Sequence, residues 1–195
     1  MQGPLEVHRL LLERQAAHEI VHLPRPIVGA DELPESLGLP ASRCIAVRVL
    51  AVDGRPGHRA AAVAVALPAG TWPSTAALAG VLGVRDVRPA TSAETSAATD
   101  FAATLVCPVG LPAGLVLLLD RSLLPDEGEG VLYAPVGAAG VVLGLRGRDL
   151  LAVTRASVVD LAPGPANPWA DRPSPPPPPG APGQDPGSPV LALPA

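Results

Sequence analysis

Apolar positions along this chain recur at two spacings, and each change of spacing marks an element boundary. Leu5, Leu11 and Leu12 stand among charged residues, which predicts a surface helix over Leu5–Ala17. Ile20 and Val21 make Glu19–Leu23 a short strand that Pro24 and Pro26 stop. A short helix over Asp31–Leu37 should end at Gly38, where positive φ is tolerated. The apolar runs Cys44–Val52 and Ala60–Leu67 flank the turn-like Asp53-Gly54-Arg55-Pro56-Gly57 and predict a hairpin. Ser74 can cap a helix reaching Leu82, with Gly83 as its stop. A helix near Ser92–Ala98 follows, then strands at Leu115–Leu119, Gly130–Ala134 and Gly140–Leu145, a helix over Arg148–Val153 and a closing strand at Ala156–Leu161. Strands mixed irregularly with helices point to an α+β fold rather than to the steady alternation of a doubly wound sheet.

From Pro163 the pattern stops. Five consecutive prolines, Pro175–Pro179, are followed by Gly, Asp and Ser among further prolines. Such a segment forms neither ladders nor helices, so the expected organisation is one domain over 1–162 and a disordered tail over 163–195. The PxxP spacings of the tail suit a proline-reading module. Apolar residues make up 48% of the chain but aromatics only 2%, so the core must be assembled from Ala, Val and Leu. The longest apolar runs fall far short of the roughly 20 residues of a membrane-spanning helix. Charges at Glu6, Arg9 and Glu13 interrupt the start where a secretory signal would be apolar, and a cytoplasmic protein is expected.

Two cysteines, Cys44 and Cys107, are too few for a disulfide framework or a thiolate metal site. Every basic residue is arginine, and chemistry that depends on lysine is excluded. The net charge of −4 argues against a general nucleic-acid coat and DNA binding, although it leaves room for a local arginine patch. His18-Glu19-Ile20-Val21-His22 matches the H-E-x-x-H of zinc proteases letter for letter. That chemistry needs both histidines on one helical face, whereas Ile20, Val21 and Pro24 favour a strand. No G-x-S-x-G elbow accompanies the serines, and Gly137-Ala138-Ala139-Gly140 lacks the lysine of a phosphate loop and is better explained as a turn.

One longer pattern remains: Cys107-Pro108-Val109-Gly110-Leu111-Pro112, Leu115–Leu119, Asp120-Arg121-Ser122-Leu123, then Gly137 and Asp160-Leu161. It resembles the YbaK/prolyl-tRNA synthetase-associated domain, a family of aminoacyl-tRNA deacylases, in which Pro-Phe-Gly enters a strand closing with Asp-Glu-Ser-Leu. The first half fits more loosely, through an N-terminal helix, His22-Leu23-Pro24, and Leu37-Gly38-Leu39-Pro40 before the central hairpin. The likeness spans about residues 5–162.

The resemblance implies a mixed, curved sheet with surrounding helices, and hydrolysis of the ester between a wrongly attached amino acid and the 3′ end of tRNA, without metal or cofactor. It implies Arg48, Gly110 and Asp120 as catalytic residues: Arg48 as the cation, Gly110 shaping the amino-acid pocket, Asp120 fixing the strand end. It implies substrate contacts from His22, Ala46, Thr104, Pro108, Val109 and Gly137. Two departures bear on catalysis. Ala46 stands where the family has a lysine, with Arg48 two residues on and on the same strand face. Thr104-Leu105 stands where the family has a Gly-Gly pair, and side chains there would narrow the pocket. The alternative is a degenerate member that binds tRNA, an aminoacyl ligand or a protein without turnover; a third reading makes the tail the working part and the domain its scaffold.

Overall fold

In the computed structural model the described residues are 2–52, 61–124, 129–161 and 164. The turn predicted at Asp53–Gly57 and nearly all of the proline-rich tail lie outside them. Helix α1 (Pro4–Glu13) opens the chain, with Pro4 in its first turn and the Glu6 carboxylate accepting from the Gly3 N–H, the half of a capping box that a glycine N-cap allows. It ends earlier than its apolar spacing predicts, because Gln15 takes φ 53° and turns the chain into strand β1 (His18–His22). The helix predicted over Asp31–Leu37 is divided between Glu32 and Leu33 into a 3₁₀ turn (Ala30–Glu32) and helix α2 (Leu33–Leu37), which Gly38 terminates in the left-handed region.

Strands β2 (Ile45–Val52) and β3 (Ala61–Pro68) pair antiparallel along their whole length, as the twin apolar runs predict. Helix α3 (Thr75–Leu82) has the anticipated caps, the Ser74 Oγ accepting from the Ala77 N–H and Gly83 turning left-handed. Strand β4 (Val87–Pro89) is not legible in the sequence: three residues holding a proline gain strand geometry only by pairing with Leu50–Val52 at the sheet edge. Then come helix α4 (Ser92–Thr99), β5 (Val116–Asp120), β6 (Val131–Pro135), β7 (Val141–Arg146), helix α5 (Gly147–Thr154) and β8 (Ser157–Val159).

The expected mixed sheet is realised as two hydrogen-bonded sets, β1-β7-β6 and β4-β2-β3-β5-β8, joined among the described residues by a bridge between Cys44 and Tyr133. In the larger set β3, β5 and β8 run parallel while β2 opposes its neighbours. The main core lies between the two sets and under α1 and α5, from Val7 and Leu11 through Ile45, Val47, Ala64 and Ala66 to Leu143 and Leu150, with Phe101 as its one large ring. The other face of the five-stranded set is covered by α3, whose Leu78 meets Leu50, Val65 and Leu118. A third cluster joins Ile27, Ala30 and Leu33 to Ala46, Ala69 and Leu105. Among the described residues no helix is long and apolar enough to cross a membrane.

Candidate functional site

Strand β2 is buried at every position except Arg48. Ile45 and Val47 point into the main core; Ala46, Arg48 and Leu50 alternate onto the opposite face. A guanidinium inside an apolar strand needs partners for its donors, and three neighbours supply them. Its Nη2 donates to Asp31 Oδ1 at 2.5 Å, its Nε donates to the Thr71 carbonyl at 3.3 Å, and its carbon lies 4.4 Å from the centre of the Trp72 ring. Asp31 is shared, because the same oxygen accepts from the Gly70 N–H at 2.7 Å. The 3₁₀ turn and the bend after β3 are thus tied together through one carboxylate, and only 13% of the Arg48 side chain remains exposed.

Ala46 lies one pleat repeat from Arg48 and is wholly buried against Ala30, Ala69 and Leu105. Exposed Thr104 ties its loop to the segment that packs on Ala46: its hydroxyl donates to the Val28 carbonyl at 2.7 Å and its own carbonyl accepts from the Ala30 N–H at 3.1 Å. Ala46, Thr104 and Arg48 are therefore brought into one neighbourhood, built on β2, the 3₁₀ turn and the loop after α4.

The other expected site residues stand elsewhere. Val109 is buried in the main core, and Gly110, at φ +87°, presents its carbonyl to the Gln2 amide at 2.8 Å. A Cβ on Gly110 would come within 2.5 Å of Gln2 Oε1, and one on Gly137 (φ +78°) within 2.7 Å of the Gln2 carbonyl oxygen and 2.9 Å of the Phe101 ring. Both glycines make room for the N-terminal residues, a contact that sequence reading could not supply. Asp120 is buried; Oδ1 accepts from the Ser122 N–H at 2.9 Å and from the Ser122 hydroxyl, and Oδ2 from the Leu161 N–H at 3.1 Å, which locks β5 to the chain leaving β8. His22 is exposed at the end of β1 opposite Val141. Pro108 lines a separate cleft of about 840 Å³ between α1, the loop before β5 and the α5–β8 junction, together with Gly110.

The H-E-x-x-H residues lie on a strand and do different work on its two faces. Glu19 accepts from the Tyr133 hydroxyl at 2.8 Å across β7, over Gly144, where any Cβ would be 2.7 Å from Glu19; this bond raises the tyrosine pKa above its ordinary value. His18 Nδ1 lies 2.8 Å from the Ala16 carbonyl, which can only accept, so the proton sits on Nδ1, and Nε2 is left to meet His8 Nδ1 at 2.8 Å. Among the described residues no three His, Cys, Asp or Glu side chains converge. Burial pushes the Cys44 thiol up to about 11 and the Cys107 thiol up to about 12, so neither is a thiolate at neutral pH.

Comparison with known proteins places this architecture. The chain superposes on the hypothetical protein APE2540 (TM-score 0.70, 23% identity, covering 80% of this chain and 98% of that one). It also superposes on a candidate trans-editing enzyme for prolyl tRNA synthetase (TM-score 0.66, 24% identity, 83% and 99% covered). An epitope scaffold made by computational design is similar as well (TM-score 0.67, 25% identity, 82% and 96% covered). No curated protein matches the sequence. The aminoacyl-tRNA editing domain model matches residues 24–153, more than half of the chain and all of the Arg48 neighbourhood. The chain belongs to the aminoacyl-tRNA editing domain family.

Proposed function

We propose that the protein is a deacylase that hydrolyses the ester of mischarged tRNA in trans. The observation that carries this reading is Arg48, a cation held in the family domain beside the place of the missing lysine by Asp31, Thr71 and Trp72. Water adds to the ester carbonyl carbon, and the tetrahedral adduct then expels the ribose oxygen, which leaves as a hydroxyl with the proton that the water gave up. Arginine stays protonated throughout, so Arg48 serves as a fixed positive charge for the developing oxyanion or the terminal nucleotide and not as the base. In this reading His22 lies towards the terminal adenosine, Ala46 and Thr104 flank Arg48, and Asp120 fixes the strand end, whereas Pro108, Val109, Gly110 and Gly137, which stand apart from Arg48 in the separate cleft and the main core, act as packing positions and not as pocket walls.

The test is hydrolysis of tRNAs mischarged with Ala, Ser or Cys by the full chain. Wild type should exceed the spontaneous rate, and Arg48→Ala should lower kcat about 10²–10³-fold, the usual loss for an oxyanion partner. Arg48→Lys should retain part of it.

A second reading, binding without turnover, is favoured by the complete burial of Ala46, at the place of the family lysine, against Ala30, Ala69 and Leu105. Unchanged spontaneous hydrolysis together with intact tRNA binding would establish that reading in place of the first.

A further inference from the structure

We propose that the cleft between α1, the loop before β5 and the α5–β8 junction docks the phosphate backbone of the tRNA acceptor end; this rests on the tRNA reading above. The cleft is lined by Arg9, Arg14 and Arg155, against the carboxylates of Glu6 and Glu13. One more guanidinium than carboxylates makes it positive on a chain whose net charge is −4. Glu6 is already engaged, accepting from the Gly3 N–H at 3.1 Å. Arg14 donates to the Val153 carbonyl at 3.3 Å, which joins the C-terminal ends of α1 and α5. Arg9 and Arg155 are exposed and have no side-chain partner among the described residues. Their heads are free for an anion, beside apolar lining from Leu10, Leu111 and Leu115 that weakens screening by water.

Arg155 ends α5 at φ 55°, in the left-handed region that α2 and α3 reach with glycine and α4 with Asp100, and this turns its side chain out at the α5–β8 junction of the cleft. Ser157, on the cleft wall, is in the same cross-strand row as Arg48, through Leu118 and Val65. Three strand spacings, roughly 14 Å, separate their backbones, and α3 covers Val65 and Leu118 between them, so an RNA strand that joins the cleft to Arg48 passes around α3.

The experiment is anisotropy of a labelled, uncharged acceptor-stem minihelix ending in CCA, titrated with full-length protein between about 50 and 200 mM salt. Arg9→Gln and Arg155→Gly should each lower the slope of log Kd against log salt by about one and weaken binding. Arg85→Gln, which removes an exposed arginine beyond α3 with no side-chain partner among the described residues, should leave the slope unchanged. Arg155→Gly should also raise Tm by about 2–4 °C, because glycine relieves the left-handed strain, so lost binding could not be blamed on unfolding. Cleft variants that bind like Arg85→Gln would overturn the docking site and leave the tRNA reading standing. A wild-type protein that fails to bind the minihelix would sink both.

Discussion

Gly110 and Gly137 show how a residue can occupy a family position for a reason of packing. Each turns left-handed against Gln2, and the missing Cβ is what admits the N-terminal residues. Gly137→Ala should therefore destabilise the protein by about 2 kcal/mol, combining backbone strain with overpacking against a carbonyl and the Phe101 ring. Gly80, inside α3 with nothing within 4 Å of its absent Cβ, should respond with the opposite sign. Gly80→Ala is expected to stabilise by roughly 0.5–1 kcal/mol through helix propensity. Urea denaturation of both variants decides the matter; equal effects would show that close approach is not what selects glycine at 137. Arg48 was legible in the sequence as the one charge within an apolar run. Its partners Asp31 and Trp72 were not, because they come from residues 17 and 24 positions away whose turns only the fold brings together.

Elements were most readable where capping chemistry is local. Thr91 and Glu94 form a reciprocal capping box on α4, and Arg88 donates to both oxygens of Glu94, at 2.9 and 2.7 Å. Hydrogen bonds from Arg88 and from the Thr91 N–H lower the Glu94 pKa from 4.5 to about 2. A depressed folded-state value means the carboxylate favours the folded state above its ordinary pKa, and that this contribution fades as pH falls from 4.5 towards 2. The stability gap between wild type and Glu94→Gln should be widest at neutral pH and close on acidification. A gap constant across that range would remove Glu94 ionisation as its cause. Thr91→Ala should cost about 1 kcal/mol from the lost cap. Where no cap speaks, the chain is not legible: β4 exists because Leu50–Val52 offers an open edge, and α1 ends at Glu13 because Gln15 must turn the chain into β1.

At the scale of the whole molecule, the domain closes through Gly164, whose N–H donates to the Trp72 carbonyl at 2.8 Å and whose Cα leaves no space for a side chain beside Pro73. A chain ending at residue 164 should keep the Tm of the full chain, whereas one ending at 161 should lose stability; calorimetry of both tests a domain boundary near Pro163. Deleting the segment after 164 also isolates any binding of a proline-reading module. The amino-acid order by itself determined the α+β class, most element positions, the resemblance to editing domains and the absence of lysine chemistry, because periodicity, caps and residue inventory are local properties of the chain. Tertiary structure alone decided that Arg48 is paired and stacked, that Ala46 is buried against Ala30, Ala69 and Leu105, that Gly110 and Gly137 serve the N-terminus, and that Arg9 and Arg155 share a cleft. The physical reason is that each of these depends on contacts between residues distant in sequence, whose meeting is set by strand register and close packing of the whole core.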